Sequence, residues 1–180
     1  IGVVGPVRTG KSTFIKRFMD LMVLPGIDNV HEREQARDEL PQSAAGRTIM
    51  TTEPKFIPKE AVSVHISDDI QVKIRLIDCV GFMVDGASGH MEDDKDRMVK
   101  TPWYEDPIPF TKAAHIGTQK VIRDHSTIGL VITTDGSFGE IAGESFAAAE
   151  EMAVGELKQI GKPFIVVVNT TRPYAMETQE

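Results

Sequence analysis

Gly5, Gly10, Lys11 and Ser12 stand in the spacing GxxxxGKS, written in this chain as GPVRTGKS. Glycines so placed let successive backbone N–H groups close round phosphate oxygens at the first turn of a helix, whose dipole also favours negative charge. Val7, Arg8, Thr9 and Thr13 belong to the same stretch and share in that cradle. Lys11 offers a cation to the β- and γ-phosphates of a nucleotide, and the Ser12 hydroxyl is a ligand for Mg²⁺. The plain alternative is a glycine turn without chemistry. Against it, an apolar run, Ile1 to Val4, leads in, and Phe14, Ile15, Phe18, Met19 and Met22 follow at helical spacing.

A second constellation lies at Ile74 to Gly81, IRLIDCVG. An apolar strand there delivers Asp78 at its carboxyl end, where ligand crevices of open α/β sheets form. Asp78 is suited to holding Mg²⁺ through water, and the N–H of Gly81 to sensing a γ-phosphate; a turn-forming aspartate is the bland reading. Between the two elements runs GRTIMTTEP, Gly46 to Pro54, where Thr51 or Thr52 is the candidate to close over the metal and the terminal phosphate. The expected metal set is Ser12, Thr52 and Asp78, and the expected catalytic set is Lys11, Arg8, Thr51, Thr52 and Asp78.

These residues need a sheet to hold them together. Ala61 to Ile66 and Gln71 to Ile77 alternate as strands joined through Ser67, Asp68 and Asp69 into a hairpin. Ile128 to Thr133 and Pro163 to Val168 read as apolar strands, and Ala113 to His125 and Ala142 to Ile160 as helices. The pattern predicts an α/β fold: a three-layer sandwich with a mainly parallel sheet, one antiparallel strand, and cover on both faces. Ile27 to Thr52 reads as a loop with one helical turn around Glu32 to Glu39, and Gly81 to Lys112 as a long irregular loop; disorder without nucleotide is expected in both. The five histidines lack ligand spacing and read as solvated or partner-facing, while Cys79, Met19 and Met22 read as core.

Composition narrows the function. A net charge of −7 offers no field for nucleic acid phosphates. One cysteine supports neither a disulfide framework nor a cysteine metal site, which suggests a cytosolic protein. No uninterrupted run of roughly 18 apolar residues crosses a bilayer, so membrane contact is expected to be peripheral or through a partner. The start inside a strand, and the stop soon after Asn169, suggest one nucleotide-binding domain, 1–180, truncated at both ends.

The order of phosphate loop, threonine loop and DxxG after a hairpin strand resembles the GTPase class of P-loop proteins, the TRAFAC topology. That class places a base-reading NKxD where this chain has Asn169, Thr170, Thr171, Arg172 and Pro173. An aspartate there accepts from guanine, whereas Arg172 can only donate, so ATP is the better expectation than GTP. Asn169 either contacts the base or supports the phosphate loop. Phe82 stands where many GTPases carry a water-orienting glutamine. The RTGKS wording resembles guanylate-binding proteins, which implies that Arg8 acts as an arginine finger in cis, a surface ion pair being the alternative.

GPVRTGKSTFIKRFM, GRTIMTTEPKFIP, IRLIDCVGFMVDGA and NTTRP together resemble the stage IV sporulation protein A family. The resemblance implies an Mg²⁺-dependent ATPase whose hydrolysis drives self-assembly into the basement layer of the bacterial spore coat. It implies a place in the mother-cell cytoplasm at the outer forespore surface, with a small amphipathic membrane peptide and other coat morphogenetic proteins as partners. It also implies further domains. A GTP-dependent switch, or a scaffold that binds nucleotide without turnover, are the competing expectations.

Overall fold

Alternate residues of the central strands face opposite sides of one sheet, and this sets the layers. Val3, Leu76, Leu130 and Ile132 face one apolar cluster, with Ile15, Met19 and Ala36 packed on it. Val4, Ile77 and Val131 face the other, beneath Val121, Ile122, Ala149, Ala153 and Leu157. The computed structural model describes residues 1–41, 52–67, 69–93 and 95–179. Its elements are β1 (Gly2–Val4), α1 (Lys11–Phe18), α2 (Val30–Asp38), β2 (Lys55–Ser67), β3 (Ile70–Asp78), β4 (Met91–Glu92) and β5 (Lys95–Asp96). Then come β6 (Met98–Thr101), β7 (Tyr104–Pro109), α3 (Phe110–Lys120), β8 (Gly129–Thr134), α4 (Ala147–Gln159), β9 (Phe164–Asn169) and α5 (Met176–Gln179).

The main sheet has the order β2-β3-β1-β8-β9. Among the described strands of this sheet only the β2–β3 pair is antiparallel. The fold is therefore the α/β sandwich expected, with α1 and α2 on one face and α3 and α4 on the other. β1 is central, so the loop after it emerges between the carboxyl ends of β3 and β8, the crevice position for a ligand.

Several expectations need correction. The Gly81 to Lys112 stretch is not an irregular loop: β4 pairs with β5 and β6 with β7 in two small antiparallel sheets, and α3 already begins at Phe110. Short exposed strands of two to six residues leave too brief an alternation to read in sequence. Between Ile27 and residue 41 the helical turn is a full nine-residue helix, because the Asn29 side chain caps it by accepting from the N–H groups of His31 and Glu32. β2 starts at Lys55, earlier than the alternation suggested; Pro58 and a register shift between Ile57 and Val62 interrupt the pattern on this edge strand.

Met22 is not core but 63% exposed, because α1 passes into a π-helical turn over Met19–Val23 that carries later residues round the axis. The fully apolar strand β9 is not covered on both faces either: Ile165 is 61% exposed, and Val166 and Val168 are also open. β9 pairs only with β8, at the edge of the described sheet. Among the described residues no helix is long and apolar enough to cross a membrane.

Candidate phosphate and metal site

The loop between β1 and α1 is held by backbone contacts that glycine alone permits. Gly5 has φ 123°, and a Cβ there would lie 2.4 Å from the carbonyl oxygen of Ile132. Gly10, at φ 90°, caps α1; a Cβ on it would lie 2.6 Å from Nδ2 of Asn169. That side-chain amide donates to the Thr9 carbonyl at 3.1 Å. Of the two roles open to Asn169, support of the loop is thus the one for which the structure holds a contact. The Thr9 hydroxyl donates back to the Pro6 carbonyl at 3.0 Å. Arg8 sits at φ 67°, a left-handed conformation unusual for a side-chain-bearing residue. It lines a cleft of about 350 Å³ with Gly86, Ser88, Phe138, Glu140 and Phe146.

Lys11 and Ser12 open α1 at the carboxyl end of β3. The buried Lys11 ammonium donates to the Pro6 carbonyl. Its pKa is lowered, chiefly by desolvation, with the nearby Cys79 and Asp78 opposing. Ser12 Oγ donates to Asp78 Oδ2 at 2.6 Å. The Asp78 carboxyl is held above its ordinary pKa, first by burial, while the Ser12 hydrogen bond and the Lys11 charge pull it back. Burial also pushes the neighbouring Cys79 thiol up to about 11, which leaves it a core residue rather than a nucleophile.

Oδ1 of Asp78 is buried with no hydrogen-bond partner. A buried lone pair left unsatisfied is costly. A hydroxyl and a carboxylate converging beside a loop that a Cβ would fill make a donor set suited to a hard divalent cation such as Mg²⁺, with phosphate oxygens completing the shell. The residues present fit that ion.

Phe82 has a structural place. Fully buried, it lies edge-on to the half-buried His115 at 5.1 Å, so this histidine packs one side on a core ring, where a solvated or partner-facing side chain is expected from sequence. Its backbone staples the phosphate loop, the N–H donating to the Gly5 carbonyl and the carbonyl accepting from Val7. His90 also departs from the solvated reading, since its Nδ1 is buried without a partner. The Gly81 N–H donates to the Thr118 hydroxyl at 3.2 Å. Thr52 is buried three residues before Lys55, the residue in register with Asp78, and its carbonyl lies against Gly117 of α3. Thr51 and the rest of Gly46 to Met50 fall outside the described residues. Structure therefore brings together Lys11, Ser12, Asp78, Gly81 and Asn169, and seats Thr52 against α3.

The model for the ATPase domain of stage IV sporulation protein A matches residues 1–180. The chain belongs to the stage IV sporulation protein A family. It is 63% identical over 179 residues to stage IV sporulation protein A of Bacillus subtilis (strain 168), and 60% identical to that of Bacillus anthracis. The counterpart in Clostridioides difficile (strain 630) is 54% identical over 178 residues. Each alignment covers 99% of this chain and 36% of the relative, so the chain spans about a third of these relatives' length. No solved structure matches it.

In this member of the stage IV sporulation protein A family, one residue organises the segment after Asn169 that sequence reasoning did not single out. Asp135, just past β8, accepts from the Ser137 N–H at 2.9 Å and from the hydroxyls of Thr170 at 2.6 Å and Thr178 at 2.9 Å. Thr170 Oγ1 in turn accepts from the Arg172 N–H, and the Arg172 guanidinium lies 3.7 Å from Glu177. Hydrogen bonding to Ser137 first, then Thr170, holds the Asp135 carboxyl well below the usual carboxylate range. A depressed folded pKa stabilises above the unfolded value of about 4 and is lost as pH falls through the folded value. Asp135→Asn should therefore melt below the parent at pH 7, the gap closing in acid; equal melting temperatures at pH 7 would show the network carries no stability.

Proposed function

We propose that this chain binds Mg²⁺ with a nucleoside triphosphate, ATP in preference to GTP, and hydrolyses it. The observation that carries the reading is the Ser12–Asp78 pair, with its unsatisfied Oδ1, set beside Lys11 at the end of the central strand. Backbone N–H groups of Arg8 to Thr13 surround the phosphates, and Lys11 neutralises the terminal ones. Ser12, Asp78 and Thr52 hold the cation, which lends charge stabilisation to the phosphoryl group when bound. Gly81 presents its N–H to the terminal phosphate, Thr51 and Thr52 close from the threonine loop, and Arg8 supplies further positive charge when copies pack together. An unchanged rate in Arg8→Ala would remove that last role.

In keeping with the family, turnover drives polymerisation of the whole protein into the basement layer of the spore coat. It acts at the forespore surface in the mother-cell cytoplasm, with a small amphipathic membrane peptide and other coat proteins as partners and further domains beyond the P-loop unit. Preference for ATP is supported by Arg172, a donor where a guanine-reading carboxylate would stand, and by the engagement of Asp135 in three protein hydrogen bonds. The test is phosphate release from Mg²⁺-ATP and Mg²⁺-GTP side by side: faster release from ATP is expected, and a GTP preference would restore a GTP-dependent switch. One observation favours a scaffold without turnover, namely that Phe82 is buried and offers no group to orient water; release from neither nucleotide would select it.

A further inference from the structure

Helix α3 meets the candidate nucleotide site at three points within one turn. The Cα of Gly117 is so near the Thr52 backbone that a Cβ would lie 2.6 Å from its carbonyl oxygen. His115 packs on Phe82, the residue that staples the phosphate loop. Thr118, fully buried, accepts the Gly81 N–H at 3.2 Å and donates its own proton to the Ala114 carbonyl at 2.8 Å. Gly81 itself is pressed on the loop: a Cβ there would fall 2.3 Å from the Gly5 carbonyl oxygen and 2.6 Å from Nζ of Lys11. One N–H, at the mouth of the phosphate loop, is thus engaged by a hydroxyl from the helix behind it.

We propose that Thr118 is a positioning residue that competes with the terminal phosphate of a bound nucleoside triphosphate for the Gly81 N–H, so that α3 registers whether that phosphate is present. The role rests on the proposal that Gly81 faces the terminal phosphate. An N–H has one proton, and a phosphate oxygen is an anionic acceptor that outbids a neutral hydroxyl. A diphosphate brings no such acceptor and leaves the Thr118 bond intact. Release of Thr118 loosens the turn of α3 that also abuts Thr52, so that Gly81 and Thr52 share one support.

The test compares dissociation constants of a non-hydrolysable ATP analogue and of ADP, each with Mg²⁺, on the intact protein. Thr118→Val keeps the side-chain shape but lacks the competing acceptor; Thr118→Ser keeps the hydroxyl. The valine variant is expected to bind the analogue about tenfold tighter than the parent, the scale of one net hydrogen bond, with ADP affinity unchanged. The serine variant should match the parent. Should the valine variant fail to fold, Thr118→Ala removes the same acceptor and carries the same expectation. An unchanged ratio of triphosphate to diphosphate affinity, or a serine variant that behaves as the valine does, would overturn the role of Thr118 alone. A parent protein that binds neither nucleotide would overturn the nucleotide reading and this role with it.

Discussion

Lys11→Met is expected to lower phosphate release by at least about 10²–10³-fold, the scale for losing one preorganised charge-stabilising donor, while the folded protein survives. The Lys11 ammonium is buried, and desolvation is the largest influence on it. Methionine fills the same space and removes a charge whose burial is unfavourable. The change also withdraws a stabilising charge from Asp78, but that attraction ranks behind burial and the Ser12 hydrogen bond among the influences on its carboxyl. With two opposing effects, the melting temperature should stay within a few degrees of the parent's. Loss of turnover with loss of cooperative melting would instead mean that Lys11 is needed for the fold, and retained turnover would remove it from the chemistry.

What could be read from the sequence follows from which interactions are local. The phosphate loop, its strand and its helix were legible because GPVRTGKS carries its whole geometry within eight residues and is bounded by apolar runs. The buried strands β1 and β8 and the buried carboxyl end of β3 are legible because alternate side chains go to two apolar clusters. Thr118 was invisible, since its contact with Gly81 spans 37 residues and no spacing rule announces it. Asp135 carried only a turn signal, its role arising from Thr170 and Thr178, which lie 35 and 43 residues away. The small sheets between Met91 and Pro109 escaped notice because strands this short, largely exposed, bury too little to impose a pattern. In the sequence Phe82 stands out only as a missing glutamine, yet its buried ring and its two backbone hydrogen bonds make it part of the phosphate loop's support.

Asp78→Asn should have the next largest effect, and a different signature. Its Oδ2 receives the Ser12 hydroxyl and its Oδ1 has no partner in the protein. Asparagine can still accept from Ser12, so the local packing holds, but it brings no negative charge to a cation and sets an amide N–H₂ in place of one acceptor. Where a carboxylate supports a metal through bound water, as an outer-shell partner, such losses cost about 10–100-fold in metal affinity. The defect should accordingly be one of Mg²⁺ requirement, partly recovered at high Mg²⁺, whereas Lys11→Met should not be rescued by any concentration of the ion.

If Ser12 and Asp78 form the proposed cation site, hydrolysis must depend on Mg²⁺ through Asp78. The measurement is phosphate release from ATP as a function of Mg²⁺ concentration, for the intact protein and Asp78→Asn in parallel. Mg²⁺-dependent release by the parent is expected, with a half-saturating concentration about 10–100-fold higher in the variant. Release that needs no divalent cation, or the same Mg²⁺ dependence in both proteins, would contradict that assignment.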